Sequence, residues 1–211
     1  MVGSDQITTF CRLTRVSRET ITSLKEYENI LISYNVGLNL IGKSTINQIW
    51  TRHFLDSAQV IDFIDKNDKS LVDLGSGAGF PGLVLSIIAK ERKIPIKIKL
   101  IEKSPKKAKF LNAIISNLNL TTKVINQNIL IEPIKFYDDV FISRAFKPLE
   151  IILELIHNQA KNCKKVFIYL GKTGKDELLQ ASKSWDIEYK QRVSVTNNDS
   201  TVIEINKLKK K

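Results

Sequence analysis

Leu71-Val72-Asp73-Leu74-Gly75-Ser76-Gly77-Ala78-Gly79-Phe80-Pro81-Gly82 is the stretch on which the fold of this chain turns. Leu71, Val72 and Leu74 form a short apolar run, the pattern of a buried strand in a parallel sheet. Asp73 sits near its end. Gly75, Gly77 and Gly79 then turn the chain tightly and leave bare backbone open to a ligand. Pro81 suits the first turn of a helix, where a missing N–H costs nothing, and the apolar residues 83–89 predict that helix. Strand, glycine loop and helix in this order predict a cradle for a nucleotide-type cofactor.

Downstream, strand and helix patterns alternate. Ile94, Ile96, Ile98 and Leu100 alternate with polar residues as in a half-buried strand that ends at Glu102. An acid there is placed to accept hydrogen bonds from ribose hydroxyls. The plainer reading is a strand-end acid paired with Lys103 or Lys106. Ser104 and Pro105 open a helix whose apolar face is Phe110, Leu111, Ile114, Ile115 and Leu118. Its basic face (Lys103, Lys106, Lys107, Lys109) is either solvated or a phosphate track. Strands follow at 123–127, 140–143 and 166–170, with helices at 149–161 and 176–185. Residues 187–195 and 201–205 read as a closing antiparallel pair around Asn197-Asn198-Asp199, and 207–211 as a disordered basic tail. This order predicts an α/β doubly wound, mostly parallel sheet of seven strands.

Upstream the pattern is helical. Residues 1–16 are polar and mixed, with no strong period. Ser17 is placed as an N-cap, and Ile21, Leu24, Tyr27, Ile30, Leu31 and Tyr34 mark one buried helix face. A second helical stretch over 46–64 carries Ile49, Trp50, Phe54, Leu55, Ala58, Ile61 and Phe63. Within it lies Arg52-His53-Phe54-Leu55-Asp56-Ser57, where Arg52 with Asp56 and His53 with Ser57 are i,i+4 pairs. Taken alone, this hexapeptide reads as an ordinary charged helix face with one histidine at the edge of the core. The expected organisation is an N-terminal helical cap over 1–66, a cofactor domain over 67–206 and the tail.

Composition bounds the function. The chain has 211 residues, 43% of them hydrophobic, so it is globular. A net charge of +11 favours an anionic partner, nucleic acid before membrane surface. Cys11 and Cys163 lack C-x-x-C spacing and read as free thiols of a reducing compartment, with no metal site. No apolar region follows a basic N-terminus as in a signal peptide, and no run approaches the ~20 apolar residues of a membrane span. A cytoplasmic monomer is expected.

Gly77, Gly79 and Gly82 also fit G-x-G-x-x-G, so a dinucleotide competes for the loop and an NAD(P)-linked oxidoreductase stays open. Asp73 just before three alternating glycines instead resembles motif I of S-adenosylmethionine methyltransferases. The closing hairpin also resembles that class I, Rossmann-like fold. Four pieces match a family in order: Asn39-Leu40, the Arg52–Ser57 hexapeptide, the stretch from Asp73 to Gly82, and Ser143-Arg144-Ala145-Phe146. Over nearly the whole chain they resemble the GidB/RsmG family, bacterial methyltransferases of guanine N7 (family target guanine 527) in 16S rRNA of the small ribosomal subunit. The resemblance implies a substrate of 16S rRNA or a small-subunit precursor and S-adenosyl-L-methionine as cofactor. It implies a cofactor site at Gly75, Phe80, the backbone around Ile129 and Leu130, and Arg144, which the loop reading extends to Asp73, Gly77, Gly79 and Glu102. Arg144, His53 and Arg52 are the candidate catalytic residues. Where the family carries an acid in the third-strand loop, this chain has Leu130.

The residues agree with N7 chemistry. Guanine N7 carries an in-plane lone pair and no proton, so no general base is required, and positioning alone can supply ~7–11 kcal/mol of the barrier. Methylation of an exocyclic amine usually goes with an N/D-P-P-Y-like loop after the fourth strand, where this chain has Ser143-Arg144-Ala145-Phe146. Carbon methylation needs a nucleophilic cysteine, and Cys163, between Asn162 and Lys164, has no activating neighbour in sequence. Another RNA or a small molecule as acceptor remains an alternative.

Overall fold

The computed structural model describes residues 2–211, with side chains from Asp5 onward. Seven strands form one sheet: β1 (Ser70–Leu74), β2 (Lys97–Ile101), β3 (Lys123–Ile125), β4 (Val140–Arg144), β5 (Lys165–Leu170), β6 (Trp185–Ser194) and β7 (Asn197–Lys210). Their order is β3-β2-β1-β4-β5-β7-β6. The first five pair in parallel, whereas β7 runs antiparallel to both β5 and β6. The order reverses beside β1, so the crevice at the carboxyl ends of β1 and β4 is the switch point where ligands bind in open α/β sheets. The expected α/β fold with a mostly parallel seven-stranded sheet is thus observed.

Alternation along the strands divides the core. Leu71, Val140, Ile142 and Phe167 face one layer, with α4 (Gly82–Glu91), α5 (Pro105–Asn117) and the N-terminal helices. Val72, Leu74, Phe141, Val166 and Ile168 face the other, with α6 (Leu149–Gln159) and α7 (Gly174–Ser184). Ser17 caps α2 (Arg18–Leu38) as expected, its hydroxyl accepting the Thr20 N–H at 3.2 Å. Helix α2 packs over α4 and α5, and its fully buried Tyr27 donates its hydroxyl to the Ala78 carbonyl of the glycine loop.

Four expectations are corrected. Residues Val2–Thr14 form a helix, α1, rather than an irregular segment. Its fully buried Phe10 meets Trp50 edge-on at 5.4 Å, Ile7 packs on the same core, and Gln6 hydrogen-bonds Asn47 and Thr51. The second helical stretch is broken into a 3-10 turn (Lys43–Gln48), a π-helical turn (Ile49–Leu55), α3 (Asp56–Ala58) and a 3-10 turn (Ile61–Phe63). The 207–211 tail is not disordered up to Lys210, because β7 continues there and pairs with Trp185–Glu188 of β6. The hairpin turns at Val195-Thr196, before the Asn197-Asn198-Asp199 run, which is already strand. Among the described residues no helix is long and apolar enough to cross a membrane.

Candidate active site

The glycine loop is stitched to β2. Ser76 donates its N–H to the Ile101 carbonyl at 2.9 Å, and Gly77 donates its own to Glu102 Oε2 at 2.9 Å. Glu102 Oε1 accepts the Ser104 N–H at 2.8 Å. The carboxylate is therefore oriented by backbone donors rather than by Lys103 or Lys106, and it lines a cavity of about 440 Å³ at the switch point. Gly77 has φ +56°, and a Cβ there would find its nearest neighbour at 3.9 Å, the Gly75 carbonyl. The space over Gly77 is free for a ligand. Gly75 has no such space, because its Cα backs onto the ring of Phe146.

Gly75, Phe80, Ile129, Leu130 and Arg144 line the same cavity. Ile129 is buried, and its carbonyl accepts from Gln159 Nε2 at 3.0 Å, which holds that loop against α6. Leu130 presents an exposed apolar side chain on this wall, beside Gln127 and Asn128 of the same loop. Asp73 and Gly79 lie behind the loop rather than on the cavity wall. Asp73 is fully buried, its Oδ2 accepts the Gly82 N–H at 3.0 Å, and its Oδ1 has no partner. Burial is the main cause that pushes its carboxyl up to about 7, partly opposed by the Gly82 and Ser76 hydrogen bonds. Asp73 thus ties the end of β1 to the start of α4 and shapes the loop from below.

Arg144, at the end of β4, gathers the hexapeptide. Its Nη1 donates to Asp56 Oδ2 at 2.9 Å and to the Arg52 carbonyl at 3.1 Å, and its Nη2 lies 3.2 Å from His53 Nδ1. A guanidinium cannot accept a hydrogen bond, so His53 Nδ1 accepts and its proton sits on Nε2, which donates to Thr45 Oγ1 at 2.9 Å. Burial first, then the Arg144 charge, lower the His53 pKa to about 4. His53 is a neutral imidazole with both nitrogens engaged, stacked on Phe80 at 4.9 Å between ring centres. The Arg144 guanidinium also lies over that ring, 5.1 Å from its centre.

The expected Arg52–Asp56 pair does not form, because Asp56 turns inward to Arg144. The Arg52 side chain is exposed on the rim of a second cavity of about 420 Å³, and Arg52 enters the Arg144 cluster through its carbonyl alone. His53 does not pair with Ser57, whose hydroxyl is buried without a partner. Three residues of the cluster carry no signal in sequence: Thr45, Ser194 and Thr196. Ser194 and Thr196 both donate to Asp56 Oδ1, at 3.0 and 2.9 Å, across 138 and 140 residues of chain. The two cavities share His53, Arg144, Ala145 and Lys147, so they adjoin along the Arg144 cluster.

Comparison with known proteins points one way. The family model described as rRNA small subunit methyltransferase G matches residues 20–205. A protein of Pelagibacter ubique named ribosomal RNA small subunit methyltransferase G is 37% identical over 198 residues, 93% of this chain and 92% of that one. The protein of the same name from Rickettsia akari is 35% identical over 195 residues, 92% and 98% of the two chains. Among solved structures, an O-methyltransferase from Bacillus cereus in complex with S-adenosylhomocysteine superposes with a TM-score of 0.59 at 13% identity. It covers 88% of this chain and 91% of its own. TrmK of M. capricolum with the same ligand gives 0.53 at 19% identity, covering 72% and 67%. These two likenesses bear on the fold alone.

Proposed function

Because the chain belongs to the rRNA small subunit methyltransferase G family, we propose that it methylates N7 of a guanine in 16S rRNA, guanine 527 by the family's pattern, with S-adenosylmethionine as donor. When bound, S-adenosylmethionine supplies an electrophilic methyl group on a sulfonium sulfur. The first cavity fits such a group: the space over Gly77 is open, and Glu102 is held on its wall by two backbone N–H groups. Glu102 would accept from the ribose hydroxyls, Phe80 and Ile129 would bound the apolar parts, and Arg144 would flank the side toward the acceptor. The dinucleotide reading gives way to the family membership.

The observation that carries the N7 reading is the state of His53. It is neutral, its Nδ1 lone pair is engaged by Arg144, and its pKa is held near 4. A base of that strength, already hydrogen-bonded, is unsuited to pulling a proton from an amine at neutral pH. Burial also pushes the Cys163 thiol up to about 12, and Cys163 lies on neither of the two cavities. That removes the nucleophile that carbon methylation needs. These features support an acceptor that needs no base, to which this chain contributes orientation and fixed charge. Lys103 and Lys107 on the first cavity and Lys147 on both would meet backbone phosphates.

The test is transfer of tritium from labelled S-adenosylmethionine to 16S rRNA prepared from a strain that lacks the modification, offered naked and as assembled subunits. The label is expected in 7-methylguanosine after digestion to nucleosides. Label in any other nucleoside, or in none with either substrate, would overturn the proposal.

A further inference from the structure

The second cavity has no counterpart in the cofactor site, and its wall is chemically asymmetric. Ile152, Ile168 and Leu170 give it an apolar bed, and Arg52, Arg144 and Lys147 give it positive charge. Two carboxylates face into it, Asp56 and Glu177. Asp56 is spent: Oδ2 takes the Arg144 ion pair, and Oδ1 accepts from Gln59, Ser194 and Thr196. Glu177, in the first turn of α7, is different. Its Oε2 accepts the Leu149 N–H at 2.9 Å and its Oε1 accepts the Thr173 hydroxyl at 2.9 Å. Each oxygen keeps a second lone pair, and no cation among the described residues pairs with Glu177 within ion-pair distance. The carboxylate is fixed in orientation at the N-termini of α6 and α7, and no lysine or arginine among the described residues neutralises it.

We propose that Glu177 is the residue that selects guanine, its carboxylate accepting the N1–H and the N2 amino group of the acceptor base in the second cavity. This rests on the reading of the chain as an rRNA guanine-N7 methyltransferase. Guanine presents two adjacent donors on that edge, which match the two oxygens of one carboxylate. Adenine offers a lone pair at N1 and would face the negative charge unpaired. N7 lies on the other edge of guanine, across O6. A base held by Glu177, which lines only the second cavity, would turn N7 toward the residues that both cavities share, where acceptor and methyl donor must meet.

The experiment compares 16S rRNA carrying guanine at the target position with the same RNA carrying inosine there. Inosine keeps N7 and N1–H but lacks the N2 amino group. With the unmodified enzyme, kcat/KM for methylation at N7 should fall about ten- to a hundredfold on inosine, the cost of one lost hydrogen bond to a charged acceptor. In Glu177→Gln the guanine rate should fall by a similar factor and the guanine-to-inosine ratio should collapse toward one. Equilibrium affinity for S-adenosylhomocysteine should stay unchanged, since Glu177 does not line the first cavity. Equal rates on the two bases by the unmodified enzyme would overturn the assignment without any need for a folded variant. So would a ratio that survives Glu177→Gln. A methyl group found away from N7 would overturn the underlying reading and this proposal with it, whereas N7 methylation without discrimination would overturn this proposal alone.

Discussion

At the scale of single residues, two buried titratable groups sit on either side of the glycine loop with opposite shifts. Asp73 is raised from 3.8 to about 7, chiefly by burial. The folded chain therefore holds that proton after the unfolded chain has released it, and the stability it contributes below pH 4 is lost as pH rises toward 7. His53 is lowered from 6.5 to about 4, again chiefly by burial. The unfolded chain then takes up the proton first, and stability present above pH 6.5 is lost as pH falls toward 4. The two effects oppose each other in one window, so they are visible only in variants. Thermal unfolding of Asp73→Asn should gain on the parent protein as pH rises from 4 to 7. His53→Gln should lose less than the parent over the same span on acidification. Parallel unfolding curves across that range would contradict the buried, shifted state of both groups. The roles of Arg144 and His53 separate by kinetics. Arg144→Ala removes the fixed charge where the two cavities adjoin and should lower the methyl-transfer rate about a hundredfold. His53→Gln retains a side-chain acceptor for Arg144 and should stay within about tenfold. A His53→Gln protein that binds both cofactor and RNA normally yet transfers no methyl group would contradict the orienting role.

At the scale of elements, the glycine loop was legible because its demand is local. Gly77 joins a left-handed φ of +56° to an open face, so a side chain there costs strain and takes the ligand's space. Gly77→Val should therefore abolish binding of S-adenosylmethionine while the fold persists. Isothermal titration measures it, and an unchanged affinity in a folded variant would remove the loop from the cofactor site. Glu102 was legible for the same reason, as an acid at the end of the adjacent strand. The elements that escaped depend on distant partners. Helix α1 is held by Phe10 against Trp50, by Ile7 on the same core and by Gln6 hydrogen bonds to Asn47 and Thr51, partners that lie about 40 residues away in sequence. The π-helical turn over Ile49–Leu55 brings the Arg52 carbonyl, His53 and Asp56 to one arginine. A π-helical turn of that kind is a single-turn feature that no apolar period announces. β7 runs through a lysine-rich segment that reads as a tail, but Lys207 and Lys210 find Glu188 and Glu154, and the register with β6 does the rest.

At the scale of the whole molecule, charge and topology act together. Strand order places the cofactor cavity and the second cavity on the carboxyl edge of the sheet, side by side across β4. The net charge of +11 attracts an anionic partner from a distance, and Lys103, Lys107 and Lys147 concentrate part of that charge at the cavity mouths. Affinity for 16S rRNA should fall steeply with salt, and replacing Lys103 and Lys107 by glutamine should lower the log–log slope by about one to two. A flat salt response would mean that the charge serves solubility alone. The doubly wound class followed from the alternation of patterns, which short connections preserve. The meeting of Arg144, the hexapeptide and the hairpin turn did not, because it joins segments separated by up to 140 residues.

The central claim is that this chain methylates a nitrogen that has no proton to give, by positioning and fixed charge, with a histidine that stays neutral throughout. Single-turnover methyl transfer in the preformed complex with S-adenosylmethionine and 16S rRNA, followed from pH 5.5 to 8.5 with 7-methylguanosine identified as the product, tests it most directly. In Asp73→Asn, which removes the one loop carboxyl that titrates near 7, the account predicts a rate that is flat across the range, since His53 titrates near 4 and the acceptor lone pair is already free. A rate that still rises tenfold per unit through pH 6 to 7 in that variant would reveal an essential base and contradict the account.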